Sequence, residues 1–428
     1  MNREVQPARR LMGEVRVPGD KSITHRALLL GAVAEGDTLV RGYLESGDCR
    51  ASVDAVRALG APVEDAGPGT LRVRGLGPAG LREPGDVVNC RGSGTTMRLL
   101  AGLVAGFDLT CVLTGNDSLR RRPMGRIVEP LRQMGAVVLG RDGDRFPPIT
   151  VRGGALRGID YALPVASAQV KSCLLLAGLR GQQPTTVREP GPTRDHTERM
   201  LRAMGARVRA EGAAITVEPA ARLAPLELVV PGDLSSAAFL VAAATLVPGS
   251  GVLIEGVGVN PTRTGFLDIA RAMGANVRLE GERLEGGEPV ADLVVRSASL
   301  RPTKVAGELV PRAIDELPLV AVLATQADGV TEVREASELR VKESDRVATL
   351  VSELRALGAR IEELPDGYVV EGPTPLRATT VSSHGDHRLA MALAVAALVA
   401  DGPVTIEGAE CADDSFPGFF EVLDRMRA

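Results

Sequence analysis

The sequence predicts an α/β protein of two similar domains, each built from three repeated β-α-β-α-β units with parallel buried helices. Three observations carry that expectation. A helical phrase ending in glycine recurs along the chain, an alanine-rich apolar helix precedes each copy, and two copies of Pro-Gly-Asp divide the repeats three and three.

The phrase VDAVRALGAPV (53–63) returns as VEPLRQMGAVV (128–138), ERMLRAMGARV (198–208), LDIARAMGANV (267–277) and SELRALGARI (352–361). FEVLDRM (420–426) is a truncated sixth copy. The glycines stand at 60, 135, 205, 274 and 358, with spacings of 75, 70, 69 and 84 residues. Each phrase has helical periodicity, closes on a glycine suited to a helix C-terminus, and runs into a β-rich segment. Ahead of the copies stand GDKSITHRALLL, GSGTTMRLLAGL, ASAQVKSCLLLAGL, GDLSSAAFLVAAATL, IDELPLVAVLA and GDHRLAMALAVAAL. Each opens on small or polar capping residues and continues as a body that is apolar nearly all round, which predicts a helix packed inside a domain. The runs DTLVRG, LTCVLTG, TTVREP, GVLIEG, GVTEVRE and PVTIEG follow as strands.

VPGDKS (17–22) opens the first unit and VPGDLSS (230–236) the fourth. This symmetry predicts one domain at 20–231 and another from 1–19 with 232–428, joined by a two-strand hinge near 18–20 and 231–233, with the strand at 11–17 in the C-terminal half. Leu234 occupies the place of Lys21, so the cation there is not demanded by the repeat.

Composition narrows the function. Against 54 acidic residues stand 50 basic ones, a net charge of −4, and aromatics are 2% of 428 residues with no Trp. Nucleic-acid and membrane-surface partners are not expected from that balance. The longest strongly apolar run, Leu389–Ala400, has twelve residues, short of the roughly 20 that span a bilayer. The first residues have no apolar signal-like core, and the cysteines at 49, 90, 111, 173 and 411 form no CxxC pair, so the reading is a cytoplasmic protein with reduced thiols. His25, His196, His384 and His387 lack metal-ligand spacing, and no metal is assigned. Only Lys21, Lys171, Lys304 and Lys342 are lysines, leaving 50 − 4 = 46 arginines. Each lysine is therefore a candidate for a position that needs a compact ammonium.

The unusual polar residues gather at the starts of the apolar helices or in loops beside them. They are Lys21, Ser22 and Arg26; Gly94 and Thr95; Ser167 and Gln169; Asp315; His387 and Arg388. RRRPMGR (120–126), TRDH (193–196) and RVKESDR (340–346) join them. Each has a plainer reading: a tight turn for GSGTTMR, a solvated charge run for RRRP, an N-cap for Asp315, a surface accident for the like-charged pair Lys342 and Arg346. Their recurrence at equivalent points of a repeat favours an anion site, since helix N-termini with added cations hold anions, and the cations are too many for one.

Together PGDKSITHRAL, SGTTMRLL, RRPMGR, PVASAQVKSCLLLAGL, TRDHTERML, LRVKESDR, GDHRLAM and SFPGFFE resemble the 5-enolpyruvylshikimate-3-phosphate (EPSP) synthase family from about residue 11 to 426. The resemblance implies an inside-out α/β barrel fold of the enolpyruvyl transferase type. It also implies transfer of the enolpyruvyl group of phosphoenolpyruvate to the 5-hydroxyl of shikimate 3-phosphate by a monomer without cofactor. Carried over residue by residue, Lys21, Ser22, Arg26, Ser167, Ala168, Gln169, Arg194, Asp315 and Lys342 resemble the shikimate 3-phosphate ligands. Lys21, Gly94, Arg122, Gln169, Glu343, Arg346 and Arg388 resemble the phosphoenolpyruvate site. Asp315 resembles the base for the 5-hydroxyl and Glu343 the acid for the methylene, with Lys21 the third catalytic group. Two departures concern phosphoenolpyruvate: Arg91-Gly92 precede SGTT where the family has an Asn-bearing pair, and Asp413-Asp414 stand where some members carry Lys. The alternatives are the sister transferase acting on UDP-N-acetylglucosamine, which typically has a Gly-Ala-Lys-Asn opening and often Cys where Asp117 stands, and a non-catalytic phosphosugar-binding module.

Overall fold

The computed structural model describes all 428 residues. The chain forms two compact units, one of Met1–Pro18, Pro231–Leu284 and Pro289–Ala428, the other of Gly19–Val230 and Glu285–Glu288. They are called here the C-half and N-half units. Each has its own apolar core.

One pattern builds both. In the second repeat a lead strand, Val88–Asn89, enters the buried helix Gly94–Ala105, and Thr110–Thr114 returns parallel to the lead strand. The outer helix Gly125–Met134 follows, then Val137–Gly140 and Phe146–Arg152, which add to the sheet antiparallel. The third and fifth repeats copy this order around Ala168–Gly178 and Leu317–Ala324. These repeats are β-α-β-α-β-β, one strand more than the sequence pattern predicts, because the β-rich run after each glycine folds back as a hairpin. The first and fourth take their lead strands from across the chain: Glu227–Val229 pairs with Asp37–Arg41, and Met12–Arg16 pairs with Gly251–Gly258, both parallel. The sixth is shorter and is closed by Asn2–Val5 running antiparallel to Val404–Glu407. The sheets have three or four strands and stay separate, so none closes into a barrel.

The recurring phrase has a physical explanation. Its glycines at 60, 135, 205, 274 and 358 all adopt left-handed φ between +88° and +107°, where a side chain is strained. Its arginine, three residues before each glycine, reaches from the last helical turn to the carbonyl six residues on. Arg57 Nε donates to Val63 O at 3.1 Å, Arg132 to Val138 O at 2.8 Å and Arg202 to Val208 O at 3.0 Å. Arg271 does so to Val277 O at 3.3 Å and Arg355 to Ile361 O at 2.8 Å. The cation lies at the negative end of the helix dipole and ties helix to strand in one bond.

Lys21–Gly31, Gly94–Ala105 and Ala168–Gly178 are the buried helices of the N-half unit; Leu234–Leu246, Leu317–Ala324 and His387–Ala397 are those of the C-half unit. Alanine and glycine let them approach closely. A Cβ on Gly102 would sit 2.1 Å from Cys173 O on the neighbouring helix, so only glycine fits there.

Candidate active site

In the N-half unit, Asp20 caps the first buried helix by accepting Ile23 N at 2.8 Å, and Lys21 becomes its first residue. Asp233 makes the same kind of cap on Ser235 N at 2.8 Å, with Leu234 in the place of Lys21. One cap geometry thus accepts an ammonium in one unit and a buried leucine in the other. Lys21 Nζ lies 3.2 Å from Asp48 Oδ2. Ser93 and Ser167 cap the other two buried helices through Thr96 N and Val170 N. Two contacts bring the three starts together: Gln169 Nε2 donates to Thr95 Oγ1 at 2.7 Å, and Thr96 Oγ1 lies 3.4 Å from His25 Nδ1; Arg194 Nη1 reaches Ser22 Oγ at 3.5 Å beside the first.

Arg26 is fully buried, yet its hydrogen bonds go only to neutral oxygens: Ser22 O at 3.0 Å, Thr197 Oγ1 at 2.7 Å and Ser172 Oγ at 2.8 Å. Burial pulls its guanidinium down to about 10, Glu198 opposes this, and Arg194 adds to it. A buried cation pressed by a second cation is stabilised by an incoming anion. Gly94 serves the same end. A Cβ there would lie 3.1 Å from Arg122 Nη1 and 2.8 Å from Arg98 Nη1, so glycine lets the Arg122 guanidinium rest over the helix start. His25 links three elements instead of binding ligand: Nδ1 meets Ser52 Oγ at 2.8 Å, and Ser52 bonds Thr96. Burial, then Lys21 and Arg26, holds His25 well below the usual imidazole range, so it is neutral.

The C-half unit carries the acids. Arg346 begins the helix Arg346–Ala356 and is fully buried among three carboxylates. Its Nε donates to Asp386 Oδ2 at 2.7 Å, Nη2 to Glu343 Oε2 at 2.7 Å, and Nη1 to Asp315 Oδ1 at 3.2 Å. Burial works to lower the Arg346 pKa, but Asp386, Glu343 and Asp315 together raise it. Asp386 shows the mirror image: burial works to raise its pKa, and Arg346 outweighs that and lowers it. Lys342 Nζ lies 3.3 Å from Asp315 Oδ1, and Arg388 Nη2 lies 3.9 Å from Asp315 Oδ2. Asp315 is not the N-cap of its helix. That helix starts at Leu317 with Glu316 in the cap position and no side-chain cap bond, so the Asp315 carboxylate is directed to cations. None of the thiols is a ready nucleophile, since burial pushes all five up.

Residues 5–423 match the family model for EPSP synthase (3-phosphoshikimate 1-carboxyvinyltransferase). The chain belongs to the EPSP synthase family. Proteins named 3-phosphoshikimate 1-carboxyvinyltransferase are similar to it along the whole length. That of Desulforudis audaxviator is 52% identical over 427 residues, covering 100% of both chains; that of Gloeobacter violaceus is 54% identical over 424 residues, covering 99% of this chain and 98% of its own. The solved EPSP synthase of Acinetobacter baumannii superposes with a TM-score of 0.89 at 42% identity, over 100% of this chain and 98% of that one. The enolpyruvyl transferase NikO from Streptomyces tendae shares the fold, with a TM-score of 0.79 at 20% identity over 99% of this chain and 96% of its own.

Among the residues that the EPSP synthase resemblance singles out, Lys21, Ser22, Arg26, Gly94, Arg122, Ser167, Ala168, Gln169 and Arg194 belong to the N-half unit. Asp315, Lys342, Glu343, Arg346 and Arg388 belong to the C-half unit. Sequence reasoning passed over Asp386, which lies inside the quoted GDHR. It caps the last buried helix by accepting Arg388 N at 2.9 Å while holding Arg346 with both oxygens. Its position before two basic residues at a helix start was the available signal. Arg91-Gly92 also gain a partner that the linear motif hides. Asn116 N donates to Arg91 O at 2.7 Å, and a Cβ on Gly92 would lie 3.3 Å from Asn116 Nδ2, so an amide stands beside this loop from elsewhere in the chain. Asp413 Oδ1 accepts Gly418 N at 3.1 Å and so holds the local turn.

Asp386→Asn should cost about 3 kcal/mol at pH 7, the scale for breaking a buried ion pair. The Asp386 pKa is lowered in the fold from its ordinary 3.8. Its stabilisation is therefore present above about pH 4 and lost as pH falls through the folded value. Urea unfolding of both proteins should show a constant gap from pH 8 to about 5 that narrows below pH 4. A gap that stays unchanged to pH 3 would contradict this account.

Proposed function

We propose that the protein transfers the enolpyruvyl group of phosphoenolpyruvate to the 5-hydroxyl of shikimate 3-phosphate and releases phosphate. What carries the reading is Arg26, buried with only neutral hydrogen-bond partners and pressed by Arg194 beside three capped helix starts. Such an arrangement favours an incoming anion. Ser22, Ser167, Ala168, Gln169 and Arg194 would hold the phosphate and ring of shikimate 3-phosphate, with Arg26 as a fixed charge behind Ser22. Asp315 and Lys342 would hold its hydroxyls. Arg122 over Gly94, with Gln169, Arg346, Arg388 and Glu343, would take phosphoenolpyruvate, since guanidinium forks match carboxylate and phosphate. Lys21 would act as a point charge shared by both substrates.

Two proton transfers follow from the chemistry. Asp315 takes the proton of the 5-hydroxyl as its oxygen adds to C2 of phosphoenolpyruvate, and Glu343 gives a proton to the methylene carbon. The tetrahedral intermediate then loses a methyl proton and expels phosphate, restoring the double bond. A single chain supplies every group named, which supports a working monomer. Five free cysteines support a reducing compartment such as the cytoplasm. No helix is long and apolar enough to cross a membrane.

The direct test is phosphate release from phosphoenolpyruvate with each acceptor. Release is expected with shikimate 3-phosphate; release only with UDP-N-acetylglucosamine would assign the sister reaction, and none with either the binding module. In the same assay Lys21→Met should lower turnover by on the order of 10²- to 10³-fold, the cost of losing one preorganised charge. Its unfolding curve should not change, because Leu234 fills the equivalent position. Near-normal turnover would make the ammonium incidental. Glu343→Gln should stop exchange of solvent deuterium into the methylene of phosphoenolpyruvate, and exchange at the wild-type rate would assign that proton to another group.

A further inference from the structure

Lys171 is one of the four lysines of a chain with 46 arginines, and none of the roles above uses it. Its side chain is 1% exposed and lies four residues beyond Ser167 on the third buried helix, with its own N–H bonded to Ser167 O at 3.0 Å. Its ammonium meets three acceptors: Glu198 Oε1 at 2.7 Å, Glu189 Oε2 at 3.0 Å and Thr193 O at 3.5 Å. Both carboxylates are buried. Glu189 follows the strand Thr185–Arg188, and Glu198 lies in the helix His196–Ala203. Between them runs Pro-Gly-Pro-Thr-Arg-Asp (190–195), the segment that carries Arg194. Thr193 Oγ1 donates to Glu189 Oε1, so the residue next to Arg194 is held by both its side chain and its carbonyl.

We infer that Lys171 is a positioning residue for shikimate 3-phosphate, fixing the Arg194 segment against the helix that presents Ser167 and Gln169. The inference rests on the reading that these residues bind that substrate. Three acceptors converge on one nitrogen, which suits a compact ammonium with three donors and not a planar fork. Burial pushes the Glu189 carboxyl up and Lys171 opposes it, so the ammonium is what keeps the carboxylates side by side. Glu198 is also the main charge opposing the effect of burial on Arg26. Removing the ammonium leaves two buried carboxylates to repel, and the segment between them moves with Arg194.

The effect should be specific to one substrate. Lys171→Met should raise KM for shikimate 3-phosphate on the order of 10- to 100-fold, the scale of an ångström-sized misplacement. KM for phosphoenolpyruvate and kcat should stay within about threefold, a split that general loosening of the fold would not give. Glu189→Gln keeps the Lys171–Glu198 pair and the side-chain shape, so it tests the inference even if Lys171→Met fails to fold; it should raise the same KM in the same direction by a smaller factor. Arg194→Met is the reference and should raise that KM at least as much. If Arg194→Met raises it while Glu189→Gln and any folded Lys171→Met leave it unchanged, or raise both KM values alike, the inference is overturned and the binding reading stands. If Arg194→Met leaves it unchanged, the binding reading falls and this inference with it.

Discussion

Everything at the site depends on the direction of the buried helices. Four of the six join a lead strand and a return strand that are parallel neighbours in one sheet, as Val88–Asn89 and Thr110–Thr114 flank Gly94–Ala105, while the first and fourth draw the lead strand of their sheet from elsewhere in the chain. A helix that joins parallel neighbours must run antiparallel to both. Contacts near their N-termini hold the three starts of each unit together, Gln169–Thr95 and Thr96–His25 in one and Ser235–Glu316 and Arg388–Glu316 in the other, and with them unsatisfied N–H groups and the positive ends of their dipoles. The caps Asp20, Ser93 and Ser167 satisfy some of these groups and leave a field that favours negative charge.

The two units answer that field in opposite ways. The C-half unit brings its own acids. Ser235 donates to Glu316, Arg263 pairs with Asp233 at 3.0 Å, and Arg346 is wrapped by Asp386, Glu343 and Asp315. The N-half unit adds cations instead. Its acids Glu189 and Glu198 are engaged by Lys171 in the interior, and Arg26 is given hydroxyls and a carbonyl. The same repeat therefore produces one unit suited to receiving anions and another in which carboxylates are held by guanidinium groups.

Cap and charge cooperate at Asp386. One carboxylate ends a backbone helix and fixes the guanidinium that in turn holds Glu343 and Asp315. The orientation of both carboxylates therefore depends on Asp386 through the Arg346 guanidinium that all three share.

By itself the sequence determined the six repeats, the buried character of their first helices, the lysine in place of leucine at the equivalent capped start, and the run of motifs shared with the family. All of these are local patterns, since periodicity, capping residues and glycines at left-handed turns act over a few residues. Tertiary structure decided how the polar groups are spent. Asp386 meets Arg346 from 40 residues away, Arg26 meets Thr197 from 171 away, and Lys171 joins acids 18 and 27 residues on. The extra strand in each full repeat was likewise missed, because a short antiparallel hairpin and a single β-rich run look alike until the return strand finds its partner. Buried charge is settled by long-range pairing in a low-dielectric interior, and no spacing along the chain encodes which partner the fold will bring.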